Sequence, residues 1–181
     1  VNYNGGATTD AISNSQGVFY HSHIAALNLG ETATHIGACM FAGAYASFGE
    51  LIVDVASIGE NAFAEMWQGE QKVTLTLTEN VTYIEDGAFM LNNFATVNYN
   101  CNAETKEEIG MAGMFYHSNI DNLLIASNVT TIPHYTFNES YFNFNTFTID
   151  VERIGKRAFG YLWAEQEAGT LTLTERVNFI G

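Results

Sequence analysis

Short stretches in which apolar and polar residues alternate return along the whole chain. The apolar positions pair as Leu27 with Leu29, Leu51 with Val53, Leu75 with Leu77 and Val97 with Tyr99. They continue as Leu123 with Ile125, Phe147 with Ile149 and Leu171 with Leu173. Period-two alternation in segments rich in Thr, Val, Ile and Phe predicts half-buried strands. After each stretch an isoleucine stands alone: Ile36, Ile58, Ile84, Ile109, Ile132 and Ile154. Five or six residues later a phenylalanine follows, at Phe41, Phe63, Phe89, Phe115, Phe137 and Phe159, with Phe19 opening the series.

The phenylalanine spacings run 22, 22, 26, 26, 22 and 22, and the first four sum to 96. Laid over itself at an offset of 96, with no gap, the chain matches at about 33 of 85 positions. VNYN recurs at Val1 and Val97, FYHS at Phe19 and Phe115, IGxxAF at Ile58 and Ile154, and LTLTExV at Leu75 and Leu171. A duplication kept in register predicts units that each pack on the next. The chain therefore reads as one domain, residues 1–181, built of two 96-residue super-repeats, the second incomplete. One strand per unit, in register, predicts a parallel sheet of eight strands about 4.8 Å apart, about 35 to 40 Å long.

If the alternating apolar residues face inward, the residues between them face solvent. Asn2, Asn4, Ala26 and Asn28 come first along the stack, then Glu50, Ile52 and Asp54. Thr74, Thr76 and Thr78 follow, with Thr96, Asn98 and Asn100 beside them. The series ends with Asn122 and Leu124, then Thr146, Thr148 and Asp150, then Thr170, Thr172 and Thr174. This Thr/Asn face, from Glu50 to Asp150, is the candidate binding surface. Thr on an exposed strand is also simply a good strand former.

The wording NVTYIEDGAF at Asn80, NVTTIPHYTF at Asn128 and DVERIGKRAF at Asp150 resembles the BspA-type leucine-rich repeats of bacterial and some protozoan surface proteins. The resemblance implies a leucine-rich-repeat solenoid, a right-handed superhelix of about seven coils of 22 to 26 residues. Its concave side would carry the parallel sheet, and its convex side loops and short helical turns. It departs from the commonest unit of that family where Pro would follow the strand; Gly30, Asp54, Thr78 and Asp150 stand there. It also implies a secreted or cell-surface protein of adhesive, non-enzymatic function, binding host matrix proteins or other cells. A structural spacer and a glycan-binding accessory to an enzyme are the alternative readings.

Charge narrows the partners. The chain has 20 acidic and 6 basic side chains, a net charge of -14. Such a field repels phosphate backbones and anionic membranes, so nucleic acid is excluded as a partner. A protein or glycan ligand remains. The uncharged, Gly- and Ala-rich stretch of residues 36–49 falls short of the roughly 20 apolar residues a membrane span needs, so no membrane insertion is expected. No basic segment with an apolar run and a cleavage site of small residues occurs. Val1 falls inside a strand and Gly181 inside an unfinished unit, with no polar cap at either end. The expectation is a segment of a longer array, able to fray or to associate end to end.

Candidate chemistry adds little. Cys39 and Cys101 sit at unrelated places in the repeat and read as unpaired thiols. His21 and His23 form a HisxHis pair, but the second copy has Asn119 in place of His23, so no metal is assigned. His35 and His134 read as surface or boundary residues. Trp67 and Trp163 share one slot and are expected to cap the interior of the longer coils. Glu85 with Asp86 and Glu107 with Glu108 are adjacent loop carboxylates, which do not converge on one substrate atom. Asn80, Asn128 and Asn138 begin Asn-x-Ser/Thr triplets that such a composition produces by itself. No nucleophile elbow, zinc-protease or phosphate-loop spacing is present. Neither a catalytic residue nor a cofactor is expected.

Overall fold

A computed structural model describes residues 1–9, 13, 16–105, 113–162 and 169–181. The alternating stretches are strands, and there are eight on the main side. They are Asn2–Tyr3, Asn28–Leu29, Glu50–Val53, Val73–Leu77, Asn93–Tyr99, Leu123–Ile125, Thr146–Ile149 and Thr170–Leu173. Every pairing among them is parallel, and Leu51 lies beside Leu75, which lies beside Val97, which lies beside Leu123. The chain is a parallel β-solenoid of about seven turns.

The strands do not form the one continuous sheet expected. They form three ladders: the first two strands, the four from Glu50–Val53 to Leu123–Ile125, and the last two. Pairing lapses before Glu50–Val53 and before Thr146–Ile149, which are the same place in the two 96-residue blocks. In both coils the corner before the strand holds a phenylalanine, Phe48 or Phe144, packed against the core. At the corresponding corner of the paired Val73–Leu77 strand stands Lys72.

Two further sides of the coils carry strands. One carries the isoleucines, in the ladders His35–Ile36, Ser57–Ile58, Tyr83–Ile84 and Thr131–Ile132, Arg153–Ile154, Phe179–Ile180. The other joins His23–Ile24 to Tyr45–Ala46, and the start of Asn93–Tyr99 to Asn119–Ile120 and Tyr141–Phe142. Between these two sides the IGxxAF segment turns the corner. It does not turn helically. Residues two before and two after the phenylalanine take positive φ: Cys39 and Gly43 about Phe41, Asn61 and Glu65 about Phe63, Gly87 and Leu91 about Phe89. Tyr135 with Glu139 and Arg157 with Tyr161 repeat the pair. A left-handed residue every fourth position cannot sit in a right-handed helix, so successive tight turns replace it. Their backbones still join coil to coil, with Phe41 N–H donating to Ala62 O, Phe63 to Ala88 O and Phe89 to Met114 O, each at 2.8 Å.

The phenylalanines form one column. From Phe19 to Phe159 successive ring centroids lie 5.0, 5.4, 5.3, 5.4, 5.1 and 5.4 Å apart, and no pair is inclined by more than 18°. Ile36, Ile58, Ile84 and Ile132 are fully buried beside it, and Ile154 nearly so. Ile109 lies outside the described residues. Burying one Phe contributes roughly 1.5 to 3 kcal/mol, and a ring-on-ring contact about 0.5 to 1.5 kcal/mol more. Three residues beyond the phenylalanine, several coils bury a polar side chain. Asn92 donates to Phe63 O (2.8 Å) and Phe89 O (3.0 Å) and accepts from Trp67 N (2.8 Å). Ser118 donates to Phe89 O and Ser140 to Phe115 O, both at 2.8 Å. Buried carbonyls need such donors, and Phe115 O accepts from Ser118 N–H (3.0 Å) as well.

Candidate functional site

Period-two alternation places the residues between the buried Leu and Val positions on the outer face of the main strands. Leu51, Val53, Leu75, Leu77, Val97, Tyr99 and Leu123 are buried. Glu50, Ile52, Asp54, Asn122, Leu124, Thr146, Thr148 and Asp150 are exposed, and Thr74, Thr76, Thr78, Thr96, Asn98 and Asn100 are half-buried. The central ladder brings most of them together. Ile52 lies beside Thr76, Thr76 beside Asn98, and Asn98 beside Leu124, a row across four strands. Its ends are apolar and open, with Ile52 52% and Leu124 51% exposed, and its middle is polar. Three strand spacings separate those ends by about 14 Å. Thr146, Thr148 and Asp150 belong to a different ladder, paired with Thr170–Leu173, so the expected face is divided.

The polar groups of this face bond to one another across strands. Asn98 Nδ2 donates to Thr76 Oγ1 at 3.0 Å, and Asn28 Nδ2 to Asn2 Oδ1 at 2.8 Å. The Asp54 carboxylate accepts from the Thr78 hydroxyl and from Asn80 Nδ2 (2.9 Å), and these bonds hold its pKa below the usual carboxylate value. In the second copy Asp150 accepts from Thr174 Oγ1 at 2.5 Å. There Arg176 replaces Asn80 and donates to Ser127 O (3.1 Å) and Asp150 O (3.0 Å), bracing the place where pairing lapses.

At the rim, Lys72 Nζ lies 2.6 Å from both oxygens of Asp121, which also accepts from Asn143 Nδ2 at 2.7 Å. Partial burial raises the Asp121 pKa, but the bonds from Lys72 and Asn143 outweigh it and leave it lowered. This ion pair leaves no mark in the sequence, because its partners are 49 residues apart.

The remaining candidates are structural or lie elsewhere. Trp67 is buried and caps its coil, with Phe48 edge-on at 5.5 Å. Trp163, like Glu107 and Glu108, lies outside the described residues. Cys39 and Cys101 are both buried thiols, and burial pushes the Cys101 thiol up to about 11. His35 Nδ1 lies 2.7 Å from Ser57 Oγ, and His134 Nδ1 accepts from Lys156 N at 2.7 Å. Glu85 accepts from Glu60 N, and Asn138 is buried while Asn80 and Asn128 are exposed. His21 and His23 do not converge on a metal position; each lies against the Tyr45 ring, at 5.4 and 5.1 Å. Among the described residues no three His, Cys, Asp or Glu side chains form a metal-ligand group. No helix among them is long and apolar enough to cross a membrane.

A family model described as the BspA type leucine rich repeat region matches the chain in 6 copies, over residues 11–108 and 72–180. No curated protein and no solved structure matches it.

Proposed function

The chain belongs to the BspA-type leucine-rich-repeat family, and from that premise we propose that it is a non-enzymatic adhesion module of a secreted or cell-surface protein. The family is commonly surface-associated, and its solenoids are typically interaction scaffolds rather than catalysts. The central ladder of main strands is the binding surface, and its ligand is a protein displayed on a host or a neighbouring cell. One observation carries this reading. A row of side chains in strand register, Ile52, Thr76, Asn98 and Leu124, presents two exposed aliphatic anchors with a polar middle. Interfaces draw their affinity from a few such anchors surrounded by polar groups that fix orientation.

The acids Glu50 and Asp54 flank Ile52 on its own strand, so a partner carrying basic residues is favoured over an acidic one. Surface plasmon resonance against immobilised extracellular-matrix proteins tests the reading. Saturable binding is expected to weaken about tenfold or more in Ile52→Asp and Leu124→Asp, with the fold unchanged. Full retention of binding in both variants and in Thr76→Arg would remove this face as the site.

A further inference from the structure

A second surface lies on a different side of the coil. The FYHS motif of the first copy places Tyr20 and His21 in the tight turn after Phe19, and His23 begins the His23–Ile24 strand. That strand pairs with Tyr45–Ala46 of the next coil. Four rings thus meet. His21 stacks on Tyr20 at 4.1 Å and leans on Tyr45 at 5.4 Å, and His23 leans on Tyr45 as well, at 5.1 Å. Tyr20 is 40% and Tyr45 49% exposed, although aromatic rings of this size ordinarily bury themselves. Among the described residues none of these four side chains makes a side-chain hydrogen bond.

The backbone is shaped to the patch. At Gly43, which has φ +64°, an added Cβ would lie 2.6 Å from Tyr20 Cδ2 and 2.7 Å from Cε2. Only glycine lets the Tyr20 ring lie there. The second copy keeps the rings as Tyr116, His117 and Tyr141 but has Glu139 where the first has Gly43. Glu139 reaches His117 Nε2 at 3.4 Å, and His117 Nδ1 lies 3.3 Å from the Tyr141 hydroxyl. Asn119, in place of His23, donates to Asn93. The second copy therefore closes its polar tips on itself, while the first leaves them open.

Tyr45 also forms one wall of a cleft of about 350 Å³, whose other walls include Glu65, Gln68 and Gln71. We propose that the Tyr20, His21, His23 and Tyr45 patch, with this adjoining cleft, is a binding site for a neutral sugar ring. A pyranose has an apolar C–H face, which suits an exposed tyrosine, and a rim of hydroxyls, which suits phenol, imidazole, amide and carboxylate groups. The cleft is of a size with small-ligand sites. Anionic sugars are excluded by Glu65 at the cleft and by the net charge of -14. This site is separate from the proposed protein-binding face and does not depend on it.

The test is the whole chain on an array of neutral and anionic oligosaccharides, followed by calorimetry with the best neutral binder. Neutral glycans are expected to bind, with affinity falling about tenfold in Tyr45→Ala and Tyr20→Ala. Both positions are exposed, and His23→Ala gives a third variant that removes no core contact. Tyr141→Ala in the second copy, and Thr76→Arg on the main strand face, are expected to bind as the parent does. Absence of any neutral binder, equal or better binding of anionic glycans, or unchanged affinity in all three patch variants would each overturn the assignment.

Discussion

Phe89 stands in the middle of the ring column, between Phe63 and Phe115, with no exposed surface. Its replacement by Ala is expected to cost about 3 to 5 kcal/mol, read as a lowered urea midpoint. The column was legible beforehand because a phenylalanine recurring at coil spacing has no other use. Asn92 was not legible: within MLNNF an asparagine reads as loop, and only the turn geometry exposes the carbonyls it serves. Asn92→Ala leaves Phe63 O and Trp67 N without the bonds it makes to them, while Phe89 O keeps Ser118, and is expected to cost at least about 2 kcal/mol, a loss that thermal unfolding would register. Asp54 adds a pH dependence. Its folded pKa lies below its unfolded one, so its contribution is fully present above the unfolded carboxylate pKa. That contribution disappears as pH falls through the folded value. In Thr78→Val the Asp54 pKa is expected to return upward, which carbon-detected NMR titration measures residue by residue.

Among the elements, the strands were the most legible and the corners the least. Alternation fixed which residues face outward, and the structure agrees at Glu50 to Asp54 and at Thr74 to Thr78. The lapses in pairing could not be read, since Leu27 to Leu51 and Leu51 to Leu75 have the same spacing and only the second pair is bonded. The left-handed turn residues were hidden for another reason. Cys39, Asn61, Glu65 and Leu91 adopt positive φ without the glycine that would advertise it. The glycine of IGxxAF serves a different end. An added Cβ at Gly59 would come within 2.6 Å of Ala38 N and 2.9 Å of Gly37 C, so it allows two backbones to pass closely. Gly59→Ala must push the coils apart and is expected to cost about 1 to 3 kcal/mol, with chemical-shift changes in both coils as its signature.

Over the whole molecule, each coil bonds chiefly to the one before and the one after, as in other repeat arrays. Protection from hydrogen exchange is expected to be highest in Val73–Leu77 and Asn93–Tyr99, whose inward residues are fully buried. It should be least in Thr170–Leu173 and Phe179–Ile180, where Leu171, Leu173, Phe179 and Ile180 are exposed. Equal protection throughout would contradict this picture of a chain stabilised by neighbours. Among the described residues two contacts reach past the nearest coil, Lys72 to Asp121 and Arg176 to Ser127. The parallel bonds between coils also decide how the molecule bears load. They run along its long axis, so tension applied to the two ends falls on the bonds of one coil at a time, never on the full set in shear. A solenoid pulled by its ends would yield by paying out its coils successively, each freeing about 80 Å of slack, and so would dissipate a tug gradually.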